Sequence, residues 1–459
     1  MFSESTYINR RNKLKETLKN GILLFIGNEE SSMNYEDNQY HFRQDSSFIY
    51  YFGFLHTAGV SAIIDLDEGT EFIFGDELTI DSIVWTGPQV TIKEQAARVG
   101  INDTLPTNKL KDYLLQAQNK GRKIHYLPPY RPEHKLKLYN WLNIEPSQLN
   151  NNVSVEFVKA VVNQRNYKSA EEIEQIDLAT TISYKMHVAG MQAAKEGIKE
   201  YEIMSVVYKT ALENGCNLSF PIICTVHGET LHNHYYGNTL NNGNMLLIDA
   251  GAELPNGYCG DISSTMPVSG KYTAQQKIIY DIVASAHKAA VEALKPGIAF
   301  RDIYYLACRT IVEGMKSIGL MKGDSGEAVA AGAHALFFQC GLGHMMGLDV
   351  HDMENLGEVW VGYNGEPKST QFGIKSLRLA RTLEPGFVLT IEPGVYFIPT
   401  LIDMWTAEKR YAEFINYDKV AEWKNFGGIR NEEDFLITEN GYQILGNPEE
   451  KAKLVETYF

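Results

Sequence analysis

The sequence predicts two domains, an α/β domain followed by an α+β domain, and three observations carry that prediction. Residues 1–160 alternate strand-like apolar runs with amphipathic helical patterns, as an α/β layer does. Residues 161–459 hold longer helical patterns among short strand runs with no regular alternation, which reads as helices packed on a mostly antiparallel sheet. Between the two lies the polar stretch EPSQLNNN, residues 145–152. A chain of 459 residues is long enough for two or three domains, by a prior of roughly 100–200 residues each.

The first part opens with an amphipathic helix over 7–18. The strand runs GILLFIG (21–27), VSAIIDLD (60–67) and EFIFGD (71–76) follow, with helical patterns over 93–99 and 108–118. The second part opens with the segment 167–197. Ser169 and Glu172 have capping-box spacing there, and apolar residues recur at helical spacing until Gly197. Further helices are predicted over 200–214, 274–293 and 300–317. MLLIDAG (245–251), DISSTMPV (261–268), FVLTIEPG (387–394) and GGIRNEEDFLIT (427–438) read as strands.

Composition narrows the function. Lys plus Arg number 42 against 57 Asp plus Glu, a net charge of −15, and no run of basic residues stands out. Such a chain repels phosphate backbones and anionic lipid, so neither nucleic acid nor a membrane surface is expected as partner. The start, MFSESTYINRRNKLK, has no apolar core of a signal peptide, and no stretch of about 18 uncharged apolar residues occurs. The five cysteines are odd in number and form no CxxC pair, which fits reduced thiols in a cytoplasm.

Two strand runs echo each other. In NNGNMLLIDAG and LEPGFVLTIEPG a glycine precedes a carboxylate by six residues (Gly243 to Asp249, Gly386 to Glu392), and a second glycine follows two residues later (Gly251, Gly394). Each run is followed along the chain by a second strand with acids, Asp261 in one case and Glu432 with Glu433 in the other. The pattern resembles a duplicated hairpin that delivers acids from each half. An acid at the end of an apolar strand is costly unless paired, hydrogen-bonded or bound to a cation. Its plainer reading is a turn cap, but four acids on two echoed hairpins point to a shared role.

The segment CGLGHMMGLDVHD, residues 340–352, adds two histidines. Its GxGxxxG spacing is one residue off a dinucleotide fingerprint and does not open the chain's first βαβ unit. Cys340 and His344 are four apart and could serve a thiol hydrolase, but that would leave the carboxylates without a purpose. Four carboxylates and a neutral imidazole suit two divalent cations, with Mn²⁺ favoured by the oxygen-rich shell. Two ions about 3.5–4 Å apart share a hydroxide nucleophile and polarise a carbonyl, which is a hydrolase design.

The ordered set IDAG…GD, GLGHMMGLDVHD, LTIEPGVY and GIRNEED resembles the pita-bread metallopeptidases. It is similar to their proline-specific branch, peptidase family M24B, which comprises aminopeptidase P (Xaa-Pro aminopeptidase) and prolidase. FRQDSSFIYYFGF (42–54) is similar to that branch's N-terminal domain. The resemblance covers nearly the whole chain. It implies an N-terminal aminopeptidase P-like domain over 1–160 and a pita-bread, creatinase/aminopeptidase-like α+β catalytic domain over 161–459. It also implies metal ligands at Asp249, Asp261, His344, Glu392 and Glu432, with Asp261 and Glu432 bridging two ions. These are Mn²⁺ by preference, with Co²⁺, Zn²⁺ or Fe²⁺ as alternatives. Glu392 would orient the bridging hydroxide and shuttle its proton. His351 would bind substrate near the scissile carbonyl, and His232, 17 residues before Asp249, would stabilise the tetrahedral intermediate. His234 is its rival for that role.

The expected substrate is a peptide or dipeptide with proline second, and the expected state is a homodimer or larger homo-oligomer. Three features depart from the family pattern. Asp249 and Asp261 are 12 apart, one more than expected. Cys340 stands where the family has a histidine lining the proline pocket. Glu392 and Glu432 are 40 apart, a spacing that resembles prolidase. Arg378, in SLRLAR, resembles the prolidase arginine that clamps a dipeptide's free carboxylate, where a guanidinium fork fits. Its plain alternative is a surface pair with Arg381. Trp85 resembles a family tryptophan that reaches a neighbouring subunit, although a core tryptophan fits VWTG equally well. Metal-free creatinase-like enzymes and non-catalytic relatives share the expected fold. All five ligand positions are filled here, which favours the peptidase.

Overall fold

The structure, a computed structural model, describes residues 1–458. It divides into two compact units. The first comprises Met1–Arg165 and takes back a later segment, Met353–Trp360. The second holds Asn166–Asp352 and the chain from Val361 onward.

The first unit is built on one mixed five-stranded sheet. Ile22–Ile26 runs antiparallel to Ser61–Asp65, which runs antiparallel to Thr70–Phe74. Ile124–Tyr126 and Thr104–Leu105 add parallel edges. Helices Lys109–Asn119 and Pro132–Leu142 bury Leu110, Leu114 and Leu138 against Ile22, Ile63 and Phe74. Helices Ser46–Phe52, Ile80–Thr86, Pro132–Leu142 and Val155–Arg165 lay outside the sequence reading. Ser46–Phe52, inside FRQDSSFIYYFGF, starts where the Asp45 side chain accepts from Phe48 N–H and ends at Gly53 in the left-handed region. All seven of its residues are buried, so it has no polar face and no 3.6-residue pattern to read. Trp85 corrects the core alternative. It is 87% exposed on helix Ile80–Thr86, which buries no residue.

In the second unit, helix Ala170–Ala193 begins with the expected Ser169–Glu172 capping box. It packs Ala179, Ile182 and Met186 into a core with Ile203, Val207, Leu246, Ile248 and Ile262. Helices Glu200–Glu213, Ala274–Glu292 and Phe300–Ser317 match their expected spans within a residue.

The strands correct the sequence reading in two ways. All their pairings are antiparallel, but they form four short sheets instead of one. GGIRNEEDFLIT also breaks in the middle. Gly428–Arg430 pairs with Gly394–Tyr396, while Glu433–Thr438 pairs with Val388–Ile391. The break falls at Asn431 and Glu432 because the chain changes partners there, and a local apolar pattern carries no information about partners. The echo, by contrast, is realised as two antiparallel pairs. Met245–Ala250 pairs with Ile262–Pro267 as Val388–Ile391 pairs with Glu433–Thr438. A bridge between Ser263 and Glu432 joins the two pairs. Among the described residues no helix is long and apolar enough to cross a membrane.

Candidate active site

Each echoed pair sets its acids at corresponding places. Asp249 is next to last in its strand, and Glu392 directly follows its own. Asp261 and Glu432 each directly precede the partner strand. The motif glycines allow the approach. A Cβ on Gly251 would lie 1.8 Å from the Gly260 carbonyl oxygen, and one on Gly260 would lie 2.7 Å from the Thr180 nitrogen. The turn between Asp249 and Asp261 therefore closes on itself and lies flat on helix Ala170–Ala193.

One cavity of about 560 Å³ in the second unit collects the predicted residues. Asp249, Asp261, His344, Glu392 and Glu432 line it, and so do His232, His234, His351, Arg378 and Cys340. Arg378 is thus a cavity residue, and the surface-pair alternative falls. Arg381 instead pairs with Glu384 at 2.9 Å and lies over the Phe387 ring.

His344 is the clearest ligand candidate. Its Nδ1 donates to the Met345 carbonyl at 3.1 Å, which leaves Nε2 as an acceptor in the neutral ring. That Nε2 faces carboxylate oxygens of Asp261 at 3.4 Å, Glu392 at 3.7 Å and Glu432 at 4.0 Å. Acceptors that face one another at these distances need positive charge between them. Asp261 Oδ1 is buried without a hydrogen-bond partner. Ligand atoms of Asp261, His344 and Glu432 lie within 4.8 Å of one another. The residues therefore fit a divalent cation, and their mostly oxygen donor set suits a hard-to-borderline ion.

The same crowding appears in the acids' titration. Burial, then the neighbouring Asp249, pushes the Asp261 carboxyl well above its usual range. Burial and Asp261 do the same to Glu432. Burial also raises Glu392, against the pull of His344 and Arg430. These carboxylates need a cation or protons to be neutralised.

Three supporting contacts escaped the sequence reading. Buried Arg430 reaches Asp249 through Nη2, Ser263 Oγ through Nε at 2.9 Å and Tyr396 Oη through Nη1 at 3.2 Å. It stands inside the quoted GIR motif, two residues from Glu432, so its position was available as a signal. Ser263 Oγ donates onward to Glu432 Oε2 at 2.7 Å. Lys168 and Asp352, both buried, pair at 2.9 Å and hold the end of the 340–352 segment that presents His351.

That segment is an irregular loop with no α-helix opening at its glycines, so the dinucleotide reading falls. The Cys340 thiol lies 3.8 Å from Tyr396 Oη. Burial and nearby Glu392 push it up to about 12, so it stays a neutral thiol and a poor nucleophile.

The family model described as metallopeptidase family M24 matches residues 174–439. The chain belongs to this family. A second family model, the N-terminal domain of aminopeptidase P, matches residues 7–125 of this M24 member. The Xaa-Pro dipeptidase of Homo sapiens is 31% identical, over 92% of this chain and 85% of the relative. A probable Xaa-Pro aminopeptidase of Podospora anserina is 28% identical, over 95% and 92%. Among solved structures, proline aminopeptidase P II from Yersinia pestis superposes with a TM-score of 0.80 at 26% identity, covering 99% of this chain and all of that one. Zn-substituted Escherichia coli aminopeptidase P in complex with product gives a TM-score of 0.80 at 27% identity, covering 99% of each chain. This M24 protein is thus an α/β N-terminal domain joined to a pita-bread catalytic domain, with relatives in both the aminopeptidase P and prolidase groups.

Proposed function

We propose that this chain is a dinuclear Xaa-Pro aminopeptidase, which hydrolyses the bond between an N-terminal residue and a following proline, with its catalytic domain over 161–459. The observation that carries the reading is the convergence of Asp249, Asp261, His344, Glu392 and Glu432 on one cavity. These five would hold two divalent cations, Mn²⁺ first, with Co²⁺, Zn²⁺ or Fe²⁺ as alternatives. Asp249 would contribute the oxygen that Arg430 leaves free. When bound, such a pair activates a water as nucleophile and polarises the scissile carbonyl.

The chain's own residues do the rest. Glu392 takes the proton that the attacking water gives up and returns it to the leaving proline nitrogen. His351 and His232 donate ring N–H groups to the carbonyl oxygen as it gains charge. His234 lines the same cavity and remains the alternative to His232. Cys340 offers the proline ring a smaller and less polar wall than an imidazole. The exposed helix Ile80–Thr86, with Ile80, Val84 and Trp85 each at least 75% exposed, supports self-association. None of the five cysteines forms a disulfide, which supports a reducing cytoplasm.

Arg378 supports a second reading, prolidase. A guanidinium in the cavity wall can fork onto the free carboxylate of a dipeptide and reject longer chains. One comparison separates the two: hydrolysis of an Xaa-Pro dipeptide and of an Xaa-Pro pentapeptide, each with Mn²⁺ present. Cleavage of both marks an aminopeptidase. Cleavage of the dipeptide alone, lost in Arg378→Ala, marks a prolidase. Folded, Mn²⁺-loaded protein that cleaves neither overturns both.

A further inference from the structure

Helix Ala170–Ala193 carries a feature that its length and capping do not explain. Thr180, Ser183 and His187, spaced three and four residues apart, share one face and are each 0% exposed. Buried polar groups are costly unless satisfied. All three are satisfied, and most of their partners flank the candidate metal ligands.

Thr180 Oγ1 donates to Asp434 Oδ2 at 2.6 Å, and the same oxygen accepts the Asp261 N–H at 3.1 Å. Ser183 Oγ donates to the Ala179 carbonyl at 2.9 Å and accepts the Ala252 N–H at 3.0 Å. His187 Nε2 lies 3.0 Å from the Ala250 carbonyl, which can only accept, so Nε2 carries the proton. Nδ1 therefore accepts from Ser264 Oγ at 2.6 Å. Gly260, directly before Asp261, completes the contact. A Cβ there would meet the Thr180 nitrogen at 2.7 Å and Ser183 Oγ at 2.8 Å.

We propose that Thr180, Ser183 and His187 are positioning residues that set the separation of Asp249 and Asp261, and through it the affinity for divalent cation. This rests on the metal-binding reading above. The bonds clasp the hairpin at 250 and 252, just past Asp249, and at 261 and 264, at and just past Asp261. Through Asp434 the helix also reaches the strand that follows Glu432. Two carboxylates that repel each other when empty are thereby held at their binding distance, so little reorganisation accompanies cation entry. A histidine that only filled a core would have no reason to bridge both strands of the hairpin that carries these two acids.

The test is Mn²⁺ affinity by calorimetry on the full chain, beside thermal unfolding with chelator present. His187→Phe keeps a buried ring and removes both bonds. It is expected to weaken Mn²⁺ binding by roughly 10–100-fold, the usual cost of losing a partner behind a metal ligand. His187→Gln retains a donor and an acceptor and is expected to recover part of the affinity. Thr180→Val, nearly the same shape, is expected to weaken binding by roughly tenfold, and it decides the matter if His187→Phe does not fold. Folded His187→Phe or Thr180→Val protein with wild-type Mn²⁺ affinity overturns the proposal. A wild-type chain that binds no Mn²⁺ overturns the metal reading beneath it, a distinct result.

Discussion

Both units bury charge, and they treat it in opposite ways. In the first unit two guanidinium groups, buried Arg11 and half-buried Arg122, each meet acids of their own. Arg11 Nε lies 2.8 Å from Glu71, and its Nη atoms donate to the Tyr51 and Val99 carbonyls at 3.0 and 2.7 Å. Arg122 binds Asp65 and, at 2.6 Å, Asp67. In the cavity of the second unit three acids, Asp261, Glu392 and Glu432, face His344, and Arg430 is paired with a fourth, Asp249. Paired charge of the first kind contributes to a specific fold. Unbalanced charge of the second kind weakens the empty protein and is kept because a cation can balance it. The difference suggests that the ligand acids should be dispensable for folding and indispensable for chemistry, and the Arg11 pair the reverse.

The sharpest test of that contrast is Glu432→Ala, with Asp261→Ala beside it. Each is expected to lower turnover by at least about 10³-fold, on the scale of a lost catalytic element. Because each removes a crowded buried carboxylate, the chelated protein should unfold at the same temperature or a few degrees higher. Full activity in either variant would refute the site assignment. Arg11→Ala inverts the expectation. It leaves Glu71 to Lys15, 2.5 Å away, and takes the Arg11 donors from the Tyr51 and Val99 carbonyls; it should cost about 1–3 kcal/mol in urea unfolding, while the folded fraction still binds Mn²⁺ as wild type does. Equal stability would break the comparison.

Metal removal has a smaller effect. Mn²⁺ at a hundred times its dissociation constant should stabilise the chain by about 2.7 kcal/mol per site, read as a rise in Tm that chelator reverses. No shift with Mn²⁺ would detach the acid cluster from cation binding.

The mildest effect lies in the first unit. Burial pushes His134 down to about 4, and its Nε2 has no hydrogen-bond partner. The unfolded chain takes up the proton near its ordinary value of about 6.5, whereas the folded state resists it. This contribution to stability is therefore complete above that value and is lost as pH falls toward 4. Between pH 7.5 and 5.5 the loss should be on the order of 1 kcal/mol, and His134→Leu should remove that part of the slope. An unchanged slope in the variant would assign the acid sensitivity to other groups.

The limits of sequence reading follow the same division. The Ser169–Glu172 cap, the helix it starts and the acids at the strand ends were legible, because each is a pattern among neighbours in the chain. Helix Ser46–Phe52 was not, because burial on every side erases the periodicity that reveals a helix. The metal-ligand candidates were named from ordered motifs, whereas the groups that hold them were largely silent. Arg430 sat unremarked within a quoted motif. Thr180, Ser183 and His187 read as routine residues of an amphipathic helix, and the Lys168–Asp352 pair spans 184 positions.

By itself, the sequence determined the long helices of the second unit, where the acids sit at the ends of apolar strand runs, and that the two acid-bearing hairpins are alike. Those features depend on residues a few positions apart. Only the tertiary structure decided that GGIRNEEDFLIT changes partners at Glu432, that Arg378 faces the cavity, and that one helix face clasps the chain around Asp249 and Asp261. Asp434 and Thr180 are 254 residues apart, and their meeting depends on which buried faces pack together, which hydrophobic periodicity leaves open.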